Sequence, residues 1–390
     1  MEFDIKARTH FLCVTGSHAF GTAIKTSDID LKGFATPPID HLLSPYKHFE
    51  QHDEQYKLKD YPFDVEVMYY TNKYGIKTNP EEILDQSIYA LDKFFKLASD
   101  CNPNIMSILF ADRDNILFSD DIADELRKYK YAFLSAKVRF TYSGYAYAQL
   151  KRIRSHRKWL LKPIDHKPTR EEFGLPEFST IPADQRGAAE KLVEKLSREW
   201  LLEELDIERS VLFNLQQNLA DFIASLQSNH EDLGKTARLL AMKRMGMTDN
   251  FIQVLQAEKA YKAAHTEWKQ YQEWIRNRNP ARAILEAQCG YDSKHAYHLV
   301  RLIRMCKEIM LTGNVMVKRA DAAELLEIRN GSWTYDELIS WAEEEDKELE
   351  NIYREKQYVV PHKPDIKFLN DLCVKLHQKV FDKDTNRSAL

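Results

Sequence analysis

Glycine is scarce in this chain, at 12 of 390 residues. Turn-dense β architectures use glycine freely, so its shortage predicts that long helices fill most of the molecule. Cysteine is also sparse: Cys13, Cys101, Cys289, Cys306 and Cys373 stand singly. No pair has C-x-x-C spacing, which argues against a zinc knuckle or a disulfide framework and predicts a reducing, cytoplasmic setting, the host cytoplasm for a phage-encoded chain. No run approaches the ~18 uninterrupted apolar residues of a membrane span, and residues 1–10 mix charge into the apolar positions, unlike a secretory leader. Neither sign of charge dominates. A formal net charge of -4 excludes a generally basic nucleic-acid coat and leaves room only for local patches.

What is present is ordinary for a globular protein, with 44% hydrophobic and 30% charged residues. A chain of this length can bury a sizeable core and commonly divides into two domains. Residues 1–125 mix short β-like runs with helices. Phe11-Leu12-Cys13-Val14 reads as a buried strand ending at Gly16, and residues 30–35 as a second, stopped by Pro37-Pro38. Residues 64–70 alternate, with Val65, Val67 and Tyr69 opposite Asp64, Glu66 and Met68, which predicts a third strand. From Glu81 onward the apolar residues Ile83, Leu84, Ile88, Leu91 and Phe94 fall at helical spacing. Residues 126–390 are helical in pattern, broken by a loop over 163–182 where four prolines forbid a continuous helix. Helices are expected over 185–230 and 233–277. The fold class is therefore α+β, a small mixed-sheet domain over 1–125 followed by a larger helical domain.

The segment that carries chemistry is residues 16–30, Gly16-Ser17-His18-Ala19-Phe20-Gly21 followed by Ser27-Asp28-Ile29-Asp30. Gly16 lets the backbone turn sharply and admits a phosphate close to the main chain. Ser17 sits at a helix N-terminus, where free N–H groups favour phosphate oxygens. Asp28 and Asp30 project from one face of a strand, placed to share divalent metals that bridge a triphosphate. Each part alone is commonplace, a turn or a solvated strand edge; the joint pattern between two strand-like runs is far rarer.

Gly-Ser, ten residues, then Asp-x-Asp resembles the DNA polymerase β-like nucleotidyltransferases. The wording Gly-Ser-His-Ala-Phe-Gly with Ser-Asp-Ile-Asp-Leu-Lys-Gly is similar to the branch associated with RNA ligases in bacteria and phages. The resemblance implies that Asp28 and Asp30 hold Mg²⁺ (Mn²⁺ in its place) and that Gly16 and Ser17 hold the phosphates of an NTP. It further implies a third metal-binding carboxylate on a neighbouring strand. Glu66, deeper in the expected third strand, is preferred for that role over Asp64.

Two further segments are unusual. Between Lys151 and Lys158 five of eight residues are Lys or Arg, and Gly144, Tyr147, Lys151, Arg154 and Lys158 share one helical face. Basic residues interleaved with aromatics suit phosphates and stacked bases, although most charge runs are simply solvated. In residues 290–302, Asp292 or Ser293 can cap a helix on which Lys294, His298 and Arg301 lie along one face, able to grip a triphosphate tail. The pair His295 and His298 lacks an acidic partner at metal-site spacing, which disfavours zinc there. Both segments, with Glu327-Ile328-Arg329-Asn330-Gly331, match motifs of the same branch in the same order.

The function expected is transfer of an NMP from an NTP to an acceptor hydroxyl, foremost an RNA end in RNA repair or tRNA modification, with pyrophosphate released. An RNA ligase is the partner that the resemblance suggests. Two other classes compete: a nucleotide- or RNA-binding protein without catalysis, and a protein-interaction module built on the helices. Intact Gly-Ser and Asp-x-Asp favour the enzyme.

Overall fold

The computed structural model describes residues 3–178, 191, 249–278 and 280–388. The chain folds into two compact units, one built from residues 1–161 and 280–390, the other from residues 162–279.

The first unit begins with helix α1 (Ile5–Arg8), strand β1 (Thr9–Thr15), the short helix α2 (Gly16–Phe20) and strand β2 (Asp30–Ala35). Helix α3 (Ile39–Leu43), strand β3 (Gln51–Lys57), helix α4 (Asp64–Lys73), strand β4 (Ile83–Ala90), helices α5 (Leu91–Ser99) and α6 (Pro103–Leu109) and strand β5 (Ile116–Ser119) follow. The strands form one mixed sheet in the order β3-β4-β2-β1-β5. Only β2 and β4 run parallel; the other neighbours are antiparallel.

Every residue of β1 is buried because both faces of the sheet are covered. On one face Leu12, Val14, Leu31 and Leu84 pack with Tyr61, Phe63 and Val67. On the other, Phe11, Cys13 and Phe34 pack with Phe94 of α5 and join the core of the helical region. Each large apolar side chain removed from water in this way contributes about 1.5–3 kcal/mol.

Helices α7 (Asp121–Lys128) and α8 (Val138–Leu161) complete the first stretch of the unit. The chain then passes through residues 162–279, which contain α9 (Asp249–Asn277), and re-enters with α10 (Pro280–Cys289), α11 (Ser293–Thr312), α12 (Ala322–Arg329), α13 (Tyr335–Arg354) and α14 (Ile366–Ser388). Helix α8 lies against α11, and Tyr142, Ala146 and Ile153 of the one share a core with Ala296, Val300 and Cys306 of the other. Side chains cap three helices: Asn102 starts α6, Asp292 starts α11, and Thr334 with Glu337 closes a reciprocal capping box on α13.

The sequence reading places two elements wrongly. Residues 64–70 are helix, not a third strand. The buried positions of α4 are Val67, Tyr70 and Thr71, spaced as a helix requires, whereas Val65, Met68 and Tyr69 are exposed. The two-residue alternation therefore does not mark the buried face. Conversely, residues 83–90 are strand β4, where Leu84, Gln86, Ile88 and Ala90 are buried on alternate positions. A buried glutamine in that series disguised the period.

Within residues 162–279, the stretch 163–178 is irregular apart from one 3-10 turn at Glu171–Phe173. Arg170 pairs with Glu258 of α9, and Phe173 packs edge-on against Tyr261, ring centroids 5.8 Å apart. The remainder of the proline-broken loop, the helix expected over 185–230 apart from residue 191, and the first part of the one expected over 233–277 lie outside the described residues. Among the described residues, no helix is long and apolar enough to cross a membrane.

Candidate active site

Strand β1 runs straight into the Gly-Ser turn. Gly16 adopts φ +65°, a left-handed conformation that glycine alone takes without strain. A Cβ built there would stand 2.2 Å from Oδ2 of Asp30, so the absent side chain is what lets that carboxylate lie on the backbone of the turn. Gly21, also at positive φ, ends α2 after five residues. The end of α2 is then fastened from the helical side. Thr22 shares a 2.8 Å hydroxyl–hydroxyl hydrogen bond with Tyr297 of α11. Arg329 of α12 donates to the Thr22 carbonyl at 3.1 Å, and the Arg319 backbone N–H to the Phe20 carbonyl at 3.1 Å. The Ser27 hydroxyl accepts from the Ile24 N–H at 2.9 Å and shapes the turn that delivers Asp28.

Ile29 and Leu31 are fully buried on the α4 side of the sheet. Asp28 and Asp30 consequently point to the other side, although β2 begins only at Asp30 and Asp28 precedes it. In the parallel pair of β2 and β4, Asp30 lies directly alongside Asp85, and paired residues in a sheet share a face. Asp85 is steadied by the Gln55 amide, which donates to its Oδ1 at 2.6 Å. The carboxyl of Asp30 is raised above the ordinary carboxylate range. Burial is the main cause; Asp85 and Asp28 push the same way, while Lys32 and Lys294 oppose them. Three carboxylates thus crowd one another beside a glycine backbone, with Lys294 of α11 within electrostatic reach. Such a hard, all-oxygen donor set fits Mg²⁺ or Mn²⁺, and a divalent cation would relieve the like-charge crowding.

Asp64 and Glu66 are not part of this cluster. They occupy the first turn of α4, which packs on the opposite face of the sheet, and Glu66 acts electrostatically on Tyr61, whose hydroxyl donates to Gln86 at 2.6 Å. The carboxylate that stands beside Asp30 is Asp85, which the sequence reading missed by taking its strand for helix. The available signal was the alternation of Leu84, Gln86 and Ile88 around it.

The three cleft-facing residues expected on α11 separate into different environments. Lys294 is exposed and His298 half-buried. Burial first, then Arg301, His295, Lys294 and Arg329, hold the His298 imidazole well below its usual range, so it is neutral at pH 7 and can donate or accept one hydrogen bond. Arg301 is only 7% exposed. Its guanidinium lies 3.9 Å from the centre of the Phe20 ring and donates to the Met305 sulfur at 3.3 Å, while its Nε is buried without a hydrogen-bond partner. Among the described residues no carboxylate pairs with it.

On α8, Gly144, Tyr147, Lys151, Arg154 and Lys158 all lie on the exposed face. Arg154 has Glu343 of α13 at 3.8 Å. A cleft of about 1000 Å³ opens beside the Gly-Ser turn, with His18, Lys25, Tyr74, Lys77, Arg113 and Lys318 among its walls. The Glu-Ile-Arg-Asn-Gly segment is structural: its Arg329 braces α2, and Gly331 has φ +88° with no space for a Cβ, which would fall 2.1 Å from the Cys289 sulfur.

Residues 2–166 match the model of a family described as the RNA repair pathway DNA polymerase beta family (RlaP). This is the branch that the motifs resemble, and the matched segment contains Gly16, Ser17, Asp28, Asp30 and Asp85. The Lys294-to-Arg301 helix and residues 327–331 lie beyond it. No curated protein and no solved structure gives a significant match.

Proposed function

We propose that the protein is a metal-dependent nucleotidyltransferase that moves an NMP from an NTP to the hydroxyl of an RNA end. The observation that carries this reading is the convergence of Asp28, Asp30 and Asp85 on one face of the sheet, beside a glycine whose backbone the Asp30 carboxylate overlies. The matched family's description supports nucleotidyl transfer in RNA repair.

Asp28, Asp30 and Asp85 would hold Mg²⁺ or Mn²⁺. The bound cations would neutralise charge on the phosphates and lower the pKa of the attacking hydroxyl. The main-chain N–H groups at Gly16 and Ser17 would receive the NTP phosphates. Lys294 would steady the triphosphate from α11 as a point charge, and His298, held neutral, would add a hydrogen bond without repelling that lysine. Arg301, a buried cation with no carboxylate partner among the described residues, would be compensated by the phosphate chain. In the reaction the acceptor oxygen forms a bond to the α-phosphorus, the bond from that phosphorus to the bridging oxygen breaks, and pyrophosphate departs. Asp85 would take the hydroxyl proton. Positioning and charge neutralisation supply most of the rate in such transfers. Lys151, Arg154 and Lys158 offer a phosphate-binding face on α8 that would suit an RNA acceptor.

The test incubates purified protein and Mg²⁺ with each NTP, radiolabelled at the α-phosphate, and cellular RNA or protein as acceptor, beside an Asp28→Asn/Asp30→Asn variant. Label transferred to RNA by the unmodified protein alone is the expected result, and it identifies the base used. Label on protein instead would redirect the acceptor. No transfer, with equal NTP binding by both proteins, would return the site to a binding-only role.

A further inference from the structure

A second group of potential metal ligands lies outside the carboxylate cluster, where α8 meets the start of α11. His156 comes from α8; Asp292 caps α11 and His295 stands in its first turn. One ligand atom from each lies within 4.8 Å of the others. Oδ2 of Asp292 is the meeting point, 3.0 Å from Nδ1 of His156 and 3.5 Å from Nε2 of His295. Ligands held about 2.0–2.1 Å from a tetrahedral ion stand about 3.3–3.4 Å from one another, so both separations are those of neighbours in one coordination shell.

The hydrogen bonds around the cluster point the same way. The other oxygen of Asp292 accepts the His295 backbone N–H at 3.2 Å, which fixes the carboxylate with Oδ2 toward the two rings. Nδ1 of His295 lies 2.8 Å from Oε1 of Gln149, an oxygen that can only accept, so Nδ1 carries the proton. A neutral His295 then presents the Nε2 lone pair to the negatively charged Oδ2. Two acceptors face each other at 3.5 Å, an arrangement that needs a cation between them or a second proton on the ring. An amide oxygen that accepts the far N–H of an imidazole is also the usual way in which a metal-binding histidine is oriented. Gln149 and His156 are seven residues apart and so share a face of α8, turned toward α11 and away from the exposed Lys151–Arg154–Lys158 face. Asp292 is 1% exposed, and the His156 ring is stacked on Trp159, so the cluster is rigid and largely dry.

We infer that His156, Asp292 and His295 bind one zinc ion, and that the ion pins α8 to the N-terminus of α11. Two neutral imidazoles and one carboxylate form a borderline N/O donor set that prefers zinc to magnesium. This site is separate from the Asp28–Asp30–Asp85 cluster and does not depend on nucleotidyl transfer. The sequence hid it because Asp292 and His295 meet their third ligand, His156, from a helix far upstream in the chain, a separation no local motif spans.

Elemental analysis of the full-length protein, purified without chelator, tests the inference. The expectation is about one zinc per chain in the unmodified protein and in the Asp28→Asn/Asp30→Asn variant, and a large loss in Asp292→Asn, which keeps the helix cap, and in His295→Gln. Should those two variants fail to fold, Co²⁺ titration of the chelator-stripped unmodified protein decides: a visible d–d absorption band that saturates at one equivalent and is bleached by zinc supports the site. Zinc retained in Asp292→Asn and His295→Gln overturns it. So does a protein that carries no zinc and develops no cobalt band, in which case the cluster is an imidazolium–carboxylate pair.

Discussion

The division of labour among acidic residues is decided by which side of the sheet each side chain leaves from. Asp85 stands beside Asp30 in a parallel register, while Glu66 leaves from a helix on the opposite face, with one buried carboxylate oxygen that has no hydrogen-bond partner among the described residues. Asp85→Asn is therefore expected to lower kcat by ~10²–10⁴ with NTP affinity changed little, as loss of a proton acceptor does, and Glu66→Gln to leave kcat within a few-fold. Steady-state kinetics on the two variants decide it, and the reverse pattern would remove Asp85 from the mechanism. Asp30 carries a second prediction. Its folded-state pKa is raised, so its favourable contribution is fully present below the unfolded carboxylate value and is lost as pH rises through the folded one. In chelator, Asp30→Asn should be at least as thermally stable as the unmodified protein at neutral pH, and less so at acidic pH. Melting curves from pH 4 to 8 that run parallel for the two proteins would contradict this.

At the scale of elements, what was legible was what one local rule decides. Strands β1 and β2 are bounded by a glycine turn and a proline pair, and the start of α11 is capped by Asp292, one of the two residues expected there, because its side chain satisfies a helix N–H group; all of these were readable. What failed was periodicity over short runs. In α4 the exposed Val65 and Tyr69 mimic an alternating strand, and in β4 the buried Gln86, satisfied by the Tyr61 hydroxyl, breaks the apolar alternation. A short amphipathic segment is assigned by which residues are buried, and that depends on partners distant in sequence. The candidate site divides the same way: Gly16, Ser17, Asp28 and Asp30 were readable because they are contiguous, Asp85 because of its strand was not. Elements also meet through single bonds. Tyr297→Phe removes the hydroxyl that holds Thr22 and should cost about 1 kcal/mol of stability and raise KM for NTP more than it lowers kcat. Denaturant unfolding and kinetics together check this; an unchanged KM would mean that α2 keeps its place without α11.

For the molecule as a whole, the nucleotide would be held by two stretches of one unit, residues 1–161 and 280–390. A ligand bound only by the assembled unit stabilises it by mass action, about 2.7 kcal/mol at a hundredfold excess over Kd. NTP with Mg²⁺ should thus raise the Tm of the unmodified protein and leave that of Asp28→Asn/Asp30→Asn almost unmoved. Equal shifts in the two would place the nucleotide elsewhere.

The same interruption has a consequence for how the site comes into being. During synthesis, the Gly-Ser turn and all three aspartates leave the ribosome long before Tyr297, Arg301 and Arg329, the residues that brace α2 or underlie it. Between those events the ribosome must translate the whole of residues 162–279. The nascent protein therefore carries its acidic cluster unbraced for that interval, and any competence to hold a nucleotide would be gained late, once α11 is made and docks on α8.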